Sequence, residues 1–336
     1  MCLTSPSGTK IINSLLSPLV SVITANYNKG SFIAETITSI INQTYTNWEL
    51  MLVDDCSTDQ SVEVISPFLE DKRIRLVRNS VNKGGNFCRN LALGLATGQY
   101  VVFLDADDLL AAMCLEKRIA AATRHSQANL LIFSMGVFRS RPGDLATDWV
   151  PSSRDPLKDL LQHDLPWSIL QPIWKREYLL QLGGFDESFL RLQDVELNTR
   201  ALLDKQVNYK LFPGTPDCYY RVDEARKNYN AADFLGRWVA SALKYCDKMK
   251  TLVPARLARF LPGTIYQTYY QVIYHFRQGL ISKEEFSRLE HLLLGNESMV
   301  RLGVVKQALL VFSKWYNLHC FRIPGLNRFL RACIVI

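Results

Sequence analysis

Four strand patterns alternate with helix patterns between Leu19 and Leu104, and two of the four run straight into clustered carboxylates. Leu19-Val20-Ser21-Val22-Ile23-Thr24 reads as a short buried strand, as do Trp48 to Val53, Ile74 to Val77 and Tyr100 to Leu104. Between them, Ile33, Ile37, Ile40 and Ile41 have helical spacing, Gln60 to Leu69 reads as a helix with Asp59 as N-cap, and Phe87 to Ala96 as a helix closed by Gly98. Such alternation builds a mostly parallel sheet with helices on its faces. Ligands of open α/β sheets bind at the carboxyl ends of the strands. There the chain places Asp54-Asp55 and Asp105-Ala106-Asp107-Asp108. Carboxylates this close repel one another unless a cation sits among them. A hard ion such as Mg²⁺ or Mn²⁺ takes one or two carboxylates plus substrate phosphates. The first expectation is a metal–diphosphate site; the plain alternative is an acidic turn that closes a strand.

The chain beyond Leu104 extends the same fold class. Leu115 to Arg124 reads as a helix and Leu130 to Phe138 as one strand; Arg139 to Asp155 is turn-rich. Pro172-Ile173-Trp174 leads into a helix from Arg176 to Leu182, and Gly183-Gly184-Phe185-Asp186-Glu187 is a glycine turn. Leu192-Gln193-Asp194-Val195-Glu196 opens a helix to about Leu203, with Asp194 and Glu196 where the helix dipole favours anions. Val207 to Phe212 and Cys218 to Val222 read as strands, and from about Asp233 the chain is helical: 233–249, 264–279, 283–294 and 299–316. No G-x-G-x-x-G comes after the first strand and no Walker lysine motif appears, so a nucleotide must be held by other means.

The totals narrow the class of ligand. A net charge of +7 over 336 residues suits anionic ligands or an anionic membrane surface and does not by itself argue for nucleic acid. The eight cysteines include no C-x-x-C pair, which argues against zinc and redox motifs and for a reducing, cytoplasmic compartment. No apolar run is long enough to span a bilayer, and Met1 to Ser17 is a poor signal peptide. Residues from about Met299 combine Leu302, Val305, Leu309, Phe312, Trp315 and Tyr316 with Lys306, Lys314, Arg322, Arg328 and Arg331. A basic amphipathic segment of this kind can lie on the inner face of a cell membrane, so 299–336 is the expected peripheral contact.

Taken in order, Val20-Ser21-Val22-Ile23 with Tyr27-Asn28, Val53-Asp54-Asp55-Cys56-Ser57-Thr58-Asp59, Asn82-Lys83-Gly84 with Arg89-Asn90, Ala96-Thr97-Gly98-Gln99-Tyr100, Phe103-Leu104-Asp105-Ala106-Asp107-Asp108, and Gly183-Gly184-Phe185-Asp186-Glu187 with Gln193-Asp194 resemble the family 2 glycosyltransferases. The resemblance covers roughly residues 18–222. It implies a GT-A fold, a Rossmann-like α/β arrangement with a mixed, mostly parallel sheet flanked by helices. The implied organisation is an N-terminal extension (1–17), a GT-A domain (18–232) with a nucleotide-sugar half (about 18–110) and an acceptor half (about 111–232), and a helical C-terminal region (233–336).

Carried over position by position, the resemblance implies that Tyr27 lies against the nucleotide base and that Asp55 accepts a hydrogen bond from that base, most simply uracil. It puts Arg89 near the sugar-phosphate. Asp105 and Asp107 form the D-x-D element, with Asp107 on Mn²⁺ or Mg²⁺ and Asp105 on the ribose or the metal shell. Thr24, Asn26, Asp54 and Ala106 complete the implied donor-binding set. Asp194 is the implied catalytic base, with Glu196 as its rival. Two positions depart from the family: Gln193 stands where Glu is usual, and Asp223 where many relatives carry His.

The expected activity is metal-dependent, inverting transfer from a UDP-linked sugar to a glycan or lipid-linked acceptor, in bacterial surface polysaccharide synthesis. Gln193 keeps open a non-catalytic sugar-nucleotide-binding protein. A nucleotidyltransferase is disfavoured because Asn26-Tyr27-Asn28-Lys29-Gly30 is not the glycine-rich basic loop of that class. The absence of Q-x-x-R-W argues against a processive synthase. Trp167 and Trp174 are candidates for an acceptor pocket, with core packing as their commoner fate.

Overall fold

The computed structural model describes residues 17–222, 230–295, 304–319 and 326–335. The N-terminal extension before Ser17 and Asp223 lie outside the described residues, as do Leu302, Arg322 and the side chains of Val305, Arg328 and Arg331. The chain forms two units. One comprises the described parts of 1–152, 167–185 and 206–224; the other, those of 153–166, 186–205 and 225–336.

The first unit is built on strands with almost no polar face. β1 (Val20–Asn26) and β2 (Trp48–Asp54) are buried nearly throughout, the signature of a parallel strand covered on both sides. They pair in parallel from Val20↔Trp48 to Asn26↔Asp54. β3 (Ile74–Arg78) extends the sheet beyond β2, and β4 (Tyr100–Phe103) pairs in parallel on the other side of β1. With β6 (Leu130–Phe133), β9 (Pro172–Lys175) and β10 (Tyr209–Phe212), the seven-stranded order is β10-β6-β9-β4-β1-β2-β3. β9 is antiparallel to both its neighbours and the other pairings are parallel, which makes the sheet mixed but mostly parallel, as expected. Helices α1 (Ile33–Ile41), α2 (Ser61–Ile65), α3 (Gly85–Leu95) and α4 (Cys114–Arg124) connect its strands. Val20, Val22, Leu50 and Leu52 are fully buried in its core, each stabilising the fold by roughly 1.5–3 kcal/mol relative to exposure.

One close approach sets the β1–β4 pairing. Glu49 is buried and accepts from the Ser21 hydroxyl (2.7 Å), from Thr97 N (2.6 Å) and from Gly98 N (3.1 Å). A Cβ at Gly98 would stand 2.5 Å from Ser21 Oγ and 2.7 Å from Ser21 N. The Ala96-Thr97-Gly98 turn is therefore glycine for want of space.

The structure departs from the sequence pattern at three places. Residues 130–138 form two strands, because Ser134 breaks the run: β6 belongs to the large sheet, while β7 (Met135–Phe138) joins β5 (Leu109–Leu110), β8 (Asp148–Trp149) and β11 (Cys218–Arg221) in a second sheet, order β5-β11-β7-β8. A single serine within a largely apolar run is no mark of that change of sheet. Pro172 to Trp174, given no element by the pattern, begins strand β9, and α6 (Arg176–Gln181) comes after it as expected. Trp167 and Trp174 are 1% and 2% exposed, so both are core residues and neither lines an acceptor pocket.

The second unit is helical: α5 (Pro156–Leu161), α7 (Gln193–Leu203), α8 (Ala231–Leu252), α9 (Ala255–Ala258), α10 (Pro262–Arg277), α11 (Lys283–Leu294), α12 (Val304–His319) and α13 (Leu326–Val335). Its core joins Leu160, Val195, Leu235, Tyr245, Ile265, Tyr269, Leu289 and Leu330. Among the described residues no helix is long and apolar enough to cross a membrane.

Candidate functional site

The ends of β1, β2 and β4 carry the donor-site candidates in adjacent loops, and each carboxylate there has its own partners. Asp54, fully buried, turns its Oδ1 to Asn26 Nδ2 (2.7 Å) and the Ser57 hydroxyl (2.6 Å), and its Oδ2 to Ser57 N (3.1 Å). It closes the loop after β2. Asp55 turns the other way: Asn79 Nδ2 (2.8 Å) and Lys83 N (2.9 Å) donate to Oδ1, and Gly84 N (2.7 Å) to Oδ2. Burial works against its charge, but these donors outweigh it and hold the carboxyl below its usual range. Cys56, between Asp55 and Ser57, has φ +63, a left-handed conformation that strains a non-glycine residue. That twist lets neighbouring residues serve opposite sides of one loop.

The D-x-D loop is pinned by its backbone. Thr36 Oγ1 lies 3.1 Å from Ala106 O and 3.0 Å from Asp108 O and donates to both. Arg221 Nε donates to Asp107 O (2.8 Å), Arg221 N to Asp108 Oδ1 (2.7 Å), and its guanidinium to Glu35 (2.6 Å). The side chains of Asp105 and Asp107 meet separate cations. Arg89 donates to Asp105 Oδ1 at 2.7 Å, and the Lys29 ammonium stands 2.5 Å from Asp107 Oδ2. Of these partners, Lys29, Glu35, Thr36 and Arg221 are not marked as site residues by the sequence. The one available signal is at Lys29, a cation in the loop facing two acidic strand ends.

Two motif fragments far apart in sequence turn out to be one contact. Asn90 Nδ2 donates to Phe185 O (2.9 Å), and Phe185 N donates to Asn90 Oδ1 (2.8 Å). Gly184 (φ +66) lies so near that a Cβ would stand 2.5 Å from Asn90 Oδ1. Phe185 then packs edge-on against Phe103 and lies 5.6 Å from the Arg89 guanidinium. The glycine turn thereby fixes Arg89. Tyr27 is 47% exposed beside this loop system, a ring half open to solvent. Thr24 Oγ1 and Asn26 Oδ1 are buried without a hydrogen-bond partner among the described residues, which leaves acceptor capacity at the end of β1.

The donor set suits a divalent ion shared with a ligand. Among the described residues no group of three or more His, Cys, Asp or Glu forms a metal cage. Asp107 Oδ2 nevertheless already faces a cation, the Lys29 ammonium. One carboxylate completed by diphosphate oxygens is an ordinary Mg²⁺ or Mn²⁺ arrangement.

Asp194 and Glu196 lie in the second unit, on α7. Leu192, at its N-cap, has φ +61. Asp194 is partly buried, and its Oδ1 accepts from Val195 N (3.0 Å). Glu196 is fully buried between two cations: Arg200 donates to both its oxygens (2.5 and 2.9 Å), and Lys248 stands 2.7 Å from Oε1. Lys248 also meets Asp186 at 2.7 Å. Burial pushes the Asp186 carboxyl up, but Lys248 and Ser188 overcome it and hold it at about 2.

Residues 21–168 match the family model "Glycosyl transferase family 2". The UDP-Glc:alpha-D-GlcNAc-diphosphoundecaprenol beta-1,3-glucosyltransferase WfgD of Escherichia coli is 40% identical over 108 residues, 32% of this chain and 42% of that protein. The chain thus spans about two fifths of the length of the first curated relatives it matches. Among solved structures, S. aureus TarS 1–349 in complex with UDP-GlcNAc superposes with a TM-score of 0.64 at 21% identity, over 94% of this chain and 88% of that one. The mannosyltransferase PcManGT from Pyrobaculum calidifontis, in complex with GDP-Man and Mn²⁺, gives 0.54 at 21% identity, over 90% and 87%. The segment 21–168 thus matches glycosyl transferase family 2, and with its mixed sheet the chain has the GT-A fold.

Proposed function

We propose that the chain is a metal-dependent, inverting glycosyltransferase that moves a sugar from a UDP-linked donor to a hydroxyl of a glycan or lipid-linked acceptor in bacterial surface polysaccharide synthesis. The observation that supports this most is the linked set of loops at the carboxyl ends of β1, β2 and β4, where Asn26, Asp54, Asp55, Asp105 and Asp107 are held by named partners, Arg89 reaching Asp105 from α3. UDP in TarS and UDP-Glc in the name of WfgD favour a uridine donor.

In this reading Tyr27 covers the base and Asp55 accepts from it. Thr24 and Asn26 offer their unused oxygens to the nucleoside. Arg89 anchors Asp105 beside the sugar-phosphate, and Asp107 holds Mn²⁺ or Mg²⁺. When bound, that ion acts as a Lewis acid toward the charge that develops on the leaving diphosphate. Asp194 takes the proton of the attacking acceptor hydroxyl, and a single displacement inverts the anomeric centre. Glu196 is the weaker candidate because its charge is committed to Arg200 and Lys248.

Val311, Phe312, Trp315 and Phe329 are exposed on α12 and α13 and support a peripheral membrane contact by this region. A screen of nucleotide sugars for Mn²⁺-dependent binding and hydrolysis tests the activity. Saturable binding of a UDP-sugar in Mn²⁺ is expected, and its absence across the screen overturns the reading.

A further inference from the structure

We infer that Lys29 is a built-in counter-cation for Asp107: it holds the place of a divalent ion until a nucleoside diphosphate arrives, and then passes to the diphosphate. The inference rests on the metal–diphosphate reading of the donor site. The two cations of the D-x-D pair are held differently. Arg89 is a fixed partner of Asp105: its side chain is 9% exposed, it lies against Phe185, and Gly85 sits so close that a Cβ there would stand 3.1 Å from its Nη1. Lys29 is a movable partner of Asp107. Its side chain is 26% exposed, whereas that of Asp107 is 3% exposed.

The Lys29 backbone cannot follow a ligand. Lys29 N donates to the Ser61 hydroxyl (3.0 Å), and Lys29 O accepts from Phe32 N and Ile33 N (2.9 Å each). On either side, Asn28 Oδ1 accepts from Thr58 N (2.8 Å) and Gly30 N donates to Asp59 Oδ2 (2.9 Å). The flexible stem is the part left to move, and an ammonium is a compact charge that exchanges partners without the geometric demands of a guanidinium.

These positions put the two cations in competition. Lys29 stands 2.5 Å from Asp107 Oδ2, so a metal ion that ligates this oxygen must displace the ammonium. Without a ligand the displaced ammonium loses its carboxylate. With a diphosphate present it gains another anion, while the metal gains both Asp107 and phosphate oxygens. Metal and nucleotide should therefore bind with positive coupling, and the coupling must be reciprocal.

The test titrates Mn²⁺, read as free Mn²⁺ by electron paramagnetic resonance, into the full chain with and without UDP. Wild type should bind Mn²⁺ alone weakly, with UDP tightening it about tenfold or more. Lys29→Met should bind Mn²⁺ alone about tenfold tighter, with a correspondingly smaller effect of UDP. It should also bind UDP more weakly in EDTA. Lys29→Arg, which restores a cation, should again bind Mn²⁺ alone weakly. Circular dichroism checks the fold, and Lys29→Gln serves if the Met variant does not fold. Unchanged affinity of the variant for Mn²⁺ alone, with UDP still tightening it, overturns the role of Lys29 and leaves the metal–diphosphate reading standing. A wild type that binds no Mn²⁺ with or without UDP overturns both.

Discussion

Asp55→Asn changes almost no volume, and its cost can be worked from three donors. In the wild type Oδ1 receives Asn79 Nδ2 and Lys83 N, and Oδ2 receives Gly84 N. An amide keeps one acceptor. Its best orientation leaves the oxygen with the first two donors and turns an NH₂ toward the Gly84 N–H. One partly buried backbone donor then loses its acceptor, at about 1 kcal/mol, and the other two bonds fall from charge-assisted to neutral strength. Relief from burying a charge returns part of this, so the expected loss is roughly 2–3 kcal/mol. The urea midpoint should fall with the slope unchanged. The effect is pH-dependent. The native Asp55 carboxyl lies below its usual range, so its contribution is complete above about pH 5 and is lost as pH falls through the native value. The gap between wild type and variant should therefore narrow in acid. An unchanged midpoint at pH 7, or a gap that widens in acid, would refute the argument. Since the variant also loosens the loop before Arg89, donor-base choice is better tested by comparing UDP with GDP on the wild type.

Asp107→Ala should abolish Mn²⁺-dependent UDP binding with the circular dichroism spectrum intact; full activity in EDTA would remove the metal. Asp194→Asn should lower kcat by about 10²–10⁴-fold with nearly normal UDP-sugar binding, since a general base acts in the transition state. A dead Glu196→Gln beside an active Asp194→Asn would reverse the assignment. Lys248→Met frees Asp186 to return from about 2 toward its ordinary value; the part of the loss that comes from Asp186, about 1–2 kcal/mol at pH 7, should fade between about pH 4 and 2 in thermal unfolding, while the part from Glu196 adds to it. Trp315→Ser with Phe312→Ser should weaken sedimentation with anionic liposomes, and unchanged sedimentation would remove the membrane contact.

The parallel core is legible in the sequence because its determinants are local. β1, β2 and β4 are short, largely apolar runs, and the residues that end or follow them are the acids and asparagines of the loops. The long helices of the second unit are legible from their spacing, although α13 is not. What stays hidden depends on tertiary partners. Nothing local in 130–138 marks Ser134 as the point where the chain changes sheets. Nothing local in Glu196 shows Lys248, which arrives from another helix. The motif pieces around Asn90 and Gly184 are recognisable as sequence, but the reason they occur together, one pair of reciprocal hydrogen bonds, is visible only in three dimensions.

The three acids of 105–108 show how a sound expectation about charge can point to too simple a solution. Repulsion among them suggests one cation in their midst. The structure separates them: Asp108 Oδ1 accepts from the Arg221 backbone, Asp105 faces Arg89, and Asp107 faces Lys29. Asp108 is thereby drawn into holding the loop, with Thr36 and Arg221 restraining the backbone on either side of Asp107. A loop restrained in this way can exchange the cation at Asp107 without rearranging, which a site with one ion shared by three carboxylates could not do. The proposed exchange between the Lys29 ammonium and a metal ion at Asp107 uses that property.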